Sequence, residues 1–369
     1  MYMQKTKERD SNLELYRIIV MLLIIAHHYV VNSGLTTVGG PIYENVWSFR
    51  SIFLLIFGAW GKTGINCFVL ITGYFMCRSD ITARKFFKLF LQIMFYRIVI
   101  HSIFWITGYE PFTLKNVIIP LIPVISIGSG FTPALLMFFL LIPFINILIK
   151  NMNEKQHILL LSLLLFIYVF LETVPKFSVK MNYVSWFGVL YLISSYIRLY
   201  PKDIFKKTKM WGWLTVLFIL TASVSVVVCA YLSDRLNTFI PHEFVQDSNT
   251  FLAVAIGVSS FLFFKNLNIK SKFINTVSAT CFGVFLIHAN SSYMRRWLWM
   301  DTLQNVNMYD SPYLVFHAVL SVLAVFVICS VADYLRIKFI EKPFFKMWDK
   351  HYDNVCAKLF KYKNKEGAN

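Results

Sequence analysis

Three side chains in the first apolar stretch have the types needed for proton transfer and anion handling: Glu14, Arg17 and His28. A carboxylate and a guanidinium three residues apart on a helix can pair. Arg17 and His28 are eleven residues apart, almost three helical turns, so both point the same way, separated by about 16 Å along the axis. One stripe would then carry an acid–base pair at one end and an imidazole at the other. Imidazole titrates near neutrality and suits a general base. His27 lies about 100° around the helix and is the weaker candidate. Charge inside a bilayer is costly, about 2.5–3.5 kcal/mol at a span's centre. Glu14 and Arg17 sit near the start of the apolar run, which reduces that cost. Each residue alone reads as a headgroup anchor or an interfacial histidine, and their shared stripe is what points to chemistry.

Other polar groups fall in apolar surroundings. Asn66 and Thr72 interrupt an apolar helix, and Arg97 and His101 share a helix face at i and i+4. Those two and His288 could line the same cavity as His28. His317, Glu172 and Asp333 lie near helix ends, where an interfacial role suffices. Arg84, Lys85 and Lys88 form a short basic segment. There is no Gly-x-Ser-x-Gly elbow, P-loop or His-Glu-x-x-His. A serine hydrolase, an NTPase and a zinc protease therefore lack support. The six cysteines have no Cys-x-x-Cys spacing, so neither a metal site nor a disulfide framework is indicated.

Composition says what must position these groups. Hydrophobic residues make up 57%, aromatic residues 17% and charged residues 15% of 369, and the mean hydropathy is +0.60. A soluble domain carries roughly 25% charged residues. The pattern predicts an all-α polytopic membrane bundle, since a span needs about 20 apolar residues. Ten runs qualify approximately: 13–31, 62–77, 86–109, 131–149, 157–174, 183–199, 211–232, 249–265, 274–290 and 313–336. The shorter runs 46–60 and 114–126 are expected to be interfacial or re-entrant pieces away from the cytoplasmic face. The first run lacks an A-x-A-like cleavage site and is expected to remain uncleaved.

The net charge of +17 would suggest nucleic acid in a soluble protein. Its distribution gives a topological reason instead. With the N-terminus inside, inner segments hold 26 Lys and Arg and outer segments eight, the asymmetry of the positive-inside rule. An even number of spans with both termini cytoplasmic follows, and no nucleic-acid partner is needed. Residues 1–345 form one membrane domain, and 346–369 form a basic cytoplasmic tail expected to lie on anionic inner-leaflet lipids.

The spacing Glu14-x-x-Arg17-x10-His28 resembles the first-helix signature of the acyltransferase family 3 membrane proteins. Four further stretches agree in order: Gly64-Ile65-Asn66-Cys67-Phe68-Val69-Leu70-Ile71-Thr72-Gly73-Tyr74-Phe75, Arg84-Lys85-Phe86-Phe87-Lys88, Phe282-Gly283-Val284-Phe285-Leu286-Ile287-His288 and Phe339-Ile340-Glu341-Lys342-Pro343-Phe344. The likeness spans the whole chain. Asn66 and Thr72 stand where many members have Asp and Ser, and Arg84-Lys85 replaces an Arg pair. These read as branch differences typical of members that modify surface polysaccharides, and they leave no carboxylate role at residue 66.

The resemblance implies an inner-membrane O-acyltransferase using a cytosolic acyl-CoA donor, acetyl-CoA by default, and no metal. The acceptor is a hydroxyl of a cell-surface or exopolysaccharide sugar, free or lipid-linked. Arg84, Lys85 and Lys88 would bind the donor's phosphates, and Arg17 paired with Glu14 would orient it. His28 would act as base or accept the acyl group transiently. Asn66 and Thr72 would be candidates to stabilise an oxyanion. The competing reading is a transporter or flippase using a Glu/Arg/His relay, for which inverted repeats would be the sign, and none is visible in the sequence.

Overall fold

A computed structural model describes residues 11–351 except 80, 129, 175, 176, 178 and 180. Within them the regular elements are helices, with no strand. In chain order they are α1 (Asn12–Val31), α2 (Pro41–Glu44), α3 (Phe49–Gly58), α4 (Gly61–Met76), α5 (Ala83–Ile106), α6 (Leu114–Leu121), α7 (Phe131–Asn151) and α8 (Glu154–Leu165). There follow α9 (Leu171–Thr173), α10 (Tyr183–Leu199), α11 (Thr208–Leu236), α12 (Phe251–Lys265), α13 (Lys272–Ser278), α14 (Cys281–His288), α15 (Ser292–Arg296) and α16 (Leu314–Arg336). Side-chain caps start several of them. Thr82, Thr113 and Asn182 accept from the backbone N–H three residues on, and Asn153 with Gln156 forms a capping box.

Each of the ten apolar runs holds helix, and among the described residues seven helical stretches are long and apolar enough to cross a membrane, or eight if one bent pair is a single span. The protein is a polytopic helical bundle. Of the ten expected spans, two are shorter helices and one is bent. α10 has 17 residues and α12 has 15. The run 274–290 belongs to Lys272–His288, which bends by 96° into Ser292–Thr302. The interfacial reading of 46–60 also changes, because α3 and α4 join into one stretch, Phe49–Met76. The 114–126 run holds only the eight residues of α6.

Outward faces are apolar. Trp213, Leu220 and Val224 of α11 and Phe316, Leu320 and Ile328 of α16 are exposed, as a bilayer in place of water requires. At its C-terminal end α16 widens into a π-helical turn, Ile337–Glu341, just before Pro343. Proline lacks the N–H and crowds the carbonyl four residues back, and a π turn ahead of it accommodates both. Helix then runs through the 345/346 boundary to His351. The rest of the expected tail, 352–369, lies outside the described residues.

α1 is the axis of the bundle and packs against α3, α4, α12, α13, α14 and α16. Its antiparallel seam with α3 and α4 is set by glycines three residues apart. A Cβ at Gly58 would lie 2.8 Å from Val30, one at Gly61 2.2 Å from the His27 ring, and one at Gly64 2.7 Å from Ile24. Small residues let membrane helices approach this closely. The seam fixes the height of the His27–His28 turn against the α3–α4 junction.

Candidate active site

Above that junction lies a cavity of about 820 Å³, within the size range of small-molecule sites. His27 and His28 of α1, Lys62 of α4, Arg97 and His101 of α5, and Arg295 of α15 are on its wall. The 96° bend matters here. It ends α14 at His288 and restarts the chain at Ser292, so Arg295 reaches the cavity while His288 stands directly behind His28.

Hydrogen bonds fix the protonation pattern of this pair. His288 Nδ1 is 2.7 Å from the Val284 carbonyl oxygen, and His28 Nδ1 is 3.0 Å from His288 Nε2. A carbonyl only accepts, so neutral His288 carries its hydrogen on Nδ1 and accepts at Nε2. His28 must then donate from Nδ1, which leaves its Nε2 lone pair free. Among the described residues that nitrogen has no protein partner. The relay matches the logic of a base whose other ring nitrogen is oriented by an acceptor. His288 is fully buried and His28 half-buried. His27 is held differently, donating from Nδ1 to the Gly58 carbonyl at 2.6 Å.

The remaining expected residues are not gathered here. Glu14 and Arg17 pair at 2.9 Å, and the Ser278 hydroxyl donates to Glu14. They hold α1 to α13 near its N-terminal end and do not line the cavity. Arg84 makes a two-pronged pair with Asp349 at 2.8 and 2.9 Å, and Lys88 reaches Glu341 at 2.7 Å. Lys85 donates to Ser79 at 2.6 Å. Glu341 also receives Arg336, which is bonded to fully buried Asp333. The closing Glu-x-Pro motif therefore clamps α16 to the basic start of α5.

Asn66 and Thr72, the expected oxyanion donors, do not line the cavity. Asn66 is fully buried, donates to the Ser248 carbonyl at 2.6 Å and accepts from Trp186 Nε1 at 2.9 Å. Thr72 donates to the Phe68 carbonyl in its own helix. Both are occupied with holding helices. The cavity supplies other donors that sequence reasoning counted only as charges, namely Lys62 and Arg295. Both line the same cavity as His28. Glu110, 2.6 Å from His101, was also missed. Only the i, i+4 pair Arg97 and His101 signalled this wall. Arg97 caps α6, donating to the carbonyls of Ile119, Pro120 and Ile122.

Among the described residues no group of three or more His, Cys, Asp or Glu side chains could hold a metal ion. No curated protein matches the chain, and no solved structure does. The acyltransferase domain of family 3 matches residues 10–333, most of the sequence. The protein belongs to acyltransferase family 3 and is a multi-pass membrane acyltransferase.

Proposed function

We propose that the protein transfers an acyl group, acetyl by default, from cytosolic acyl-CoA to a hydroxyl of a cell-surface or exopolysaccharide sugar at the inner membrane. The orientation with both termini cytoplasmic is part of the reading and rests on the 26-to-eight split of Lys and Arg. The observation that carries the chemistry is the relay from Val284 through His288 to His28, which leaves one unprotonated imidazole nitrogen on a cavity wall.

In this mechanism His28 Nε2 takes the proton of the acceptor hydroxyl as its oxygen attacks the thioester carbonyl. Negative charge gathers on the carbonyl oxygen, and a cationic wall favours it. The C–S bond then breaks, and the imidazolium returns the proton to the leaving thiolate. Atoms balance: an ester and free CoA result. The developing imidazolium is stabilised through its Nδ1–H bond to His288. Donor phosphates would engage Arg84, Lys85 and Lys88 at the opposite end of the bundle, displacing Asp349 and Glu341 from the first and last of these.

The test is proton NMR of the host's surface glycan before and after mild base. Cells carrying the intact protein are compared with cells carrying His28→Ala at equal membrane levels. A base-labile acyl signal present with the intact protein and lost with the variant is expected. An unchanged signal in the variant removes His28 from the mechanism, and no ester in either overturns transfer to that glycan.

A further inference from the structure

The charge of the cavity exceeds what a neutral sugar requires. Its wall carries Lys62, Arg97, Lys115 and Arg295, and the one carboxylate on it among the described residues, Glu110, is already held by His101 at 2.6 Å. The four cations are not equivalent. Arg97 spends Nε and Nη2 on the α6 carbonyls. Lys62 donates to the Tyr183 hydroxyl at 3.1 Å and lies 3.7 Å from Asp247. Lys115 is exposed. Arg295 donates only from Nε, to the Ser291 carbonyl at 3.2 Å, and its terminal nitrogens have no acidic partner among the described residues.

An unpaired guanidinium half-buried beside a base is expensive unless something negative arrives. Its planar fork matches a carboxylate or phosphate in two-pronged fashion. The same wall also carries Asn32 Nδ2 and Asn290 Oδ1, buried polar atoms without a hydrogen-bond partner. These are a donor and an acceptor of the kind sugar hydroxyls satisfy.

We infer that the cavity takes an acceptor sugar bearing a negatively charged substituent, a carboxylate or a phosphate. Arg295 grips that group, Lys62 flanks it, and a neighbouring hydroxyl is presented to His28. The inference rests on the acyl-transfer reading and narrows its acceptor class. The donor's phosphates are the competing anion. On the proposed orientation they stay at the other end of α1, with the basic segment at the start of α5.

The experiment uses purified full-length protein in detergent and follows binding of glucuronate, glucose 1-phosphate and glucose by ligand-observed NMR at low ionic strength. Either anionic sugar is expected to bind at least tenfold more tightly than glucose, about 1.4 kcal/mol, and added salt should weaken it. Which of the two binds better separates a uronate acceptor from a phosphorylated one. Arg295→Gln should lose the preference and Arg295→Lys should keep most of it, while Arg296→Gln, an exposed neighbour, should match the intact protein. Equal binding of glucose and both anions overturns the inference, as does an unchanged preference in Arg295→Gln. Displacement of the anionic sugars by CoA assigns the cations to the donor and overturns it too. Failure of acyl transfer itself is read separately, as absence of ester on the glycan with the intact protein.

Discussion

Replacing His288 by alanine removes the acceptor for His28 Nδ1–H without touching the cavity wall. In the resting site the 3.0 Å bond joins two neutral rings, a contact worth about 0.5–1.5 kcal/mol. As His28 takes a proton, its Nδ1–H becomes a cationic donor, and such bonds are worth about 1.5–3 kcal/mol. Only the gain over the resting bond, about 1–1.5 kcal/mol, belongs to the transition state, so its loss lowers kcat rather than raising KM. At about 1.4 kcal/mol per tenfold, His288→Ala should lower kcat roughly 5- to 12-fold with KM for both substrates nearly unchanged. Glutamine places a carbonyl oxygen where Nε2 stood, so His288→Gln should recover most of the rate. The assay is thiol release from acyl-CoA by protein in lipid vesicles, with the acceptor saturating and thermal unfolding followed in parallel. Two results would refute the reasoning. One is a folded His288→Ala protein with kcat within twofold of the intact one. The other is a His288→Gln protein as inactive as His288→Ala.

Other perturbations separate holding from chemistry. Asn66→Leu strands the Trp186 N–H and the Ser248 carbonyl in a dry seam. It should cost about 1–3 kcal/mol, seen as a lower unfolding temperature, while the folded fraction keeps its kcat. Gly61→Ala drives a methyl group to 2.2 Å from the His27 ring and should reduce both stability and activity, whereas Gly188→Ala, in α10 with open space around its Cβ and an ordinary φ, should leave kcat unchanged and serve as a control. Arg84→Gln breaks a half-exposed ion pair worth at most about 1 kcal/mol. Its unfolding temperature should hardly move, while the KM for acyl-CoA rises severalfold at unchanged kcat. An unchanged KM would leave Arg84 with only its clamp to Asp349.

The helices were legible because the bilayer makes periodic polarity unnecessary and long apolar runs obligatory. Where the helices differ from expectation, the cause is local. α3 and α4 meet across a break at Ala59–Trp60, and the apolar run through them divides at that point. The bend after His288 coincides with the polar stretch Asn290-Ser291-Ser292 and the Arg295–Arg296 pair, which marked the end of the expected run but not the 96° turn into a second helix. The stripe of Glu14, Arg17 and His28 was readable from spacing, yet only its His28 end lines the cavity, about 16 Å from the pair by helical rise. The surroundings of Asn66 were not legible in the sequence, for a physical reason. A polar residue in an apolar helix must find partners, and sequence cannot say whether those are substrate or protein. Its partners are 120 and 182 residues away. The partner of His28 is 260 residues away, so the relay was invisible as well.

The cations outside the cytoplasmic segments deserve a different explanation from those inside. On the proposed orientation the positive-inside rule accounts for the 26 Lys and Arg assigned inside, and it gives no reason for any to be kept outside. Among the outer eight, Arg50 is paired with Asp310 at 3.3 Å and Arg235 lies over the Tyr231 ring. Both have local structural employment. Lys62, Lys115 and Arg295 instead face one cavity with His28, and Arg97, which the charge tally placed within a span, joins them. Arg295 among them is half-buried with no acidic partner among the described residues, and an unpaired cation so placed costs stability in the empty protein. A cost of that kind persists where ligand binding relieves it, which is the physical ground for placing the acceptor's negative charge beside His28.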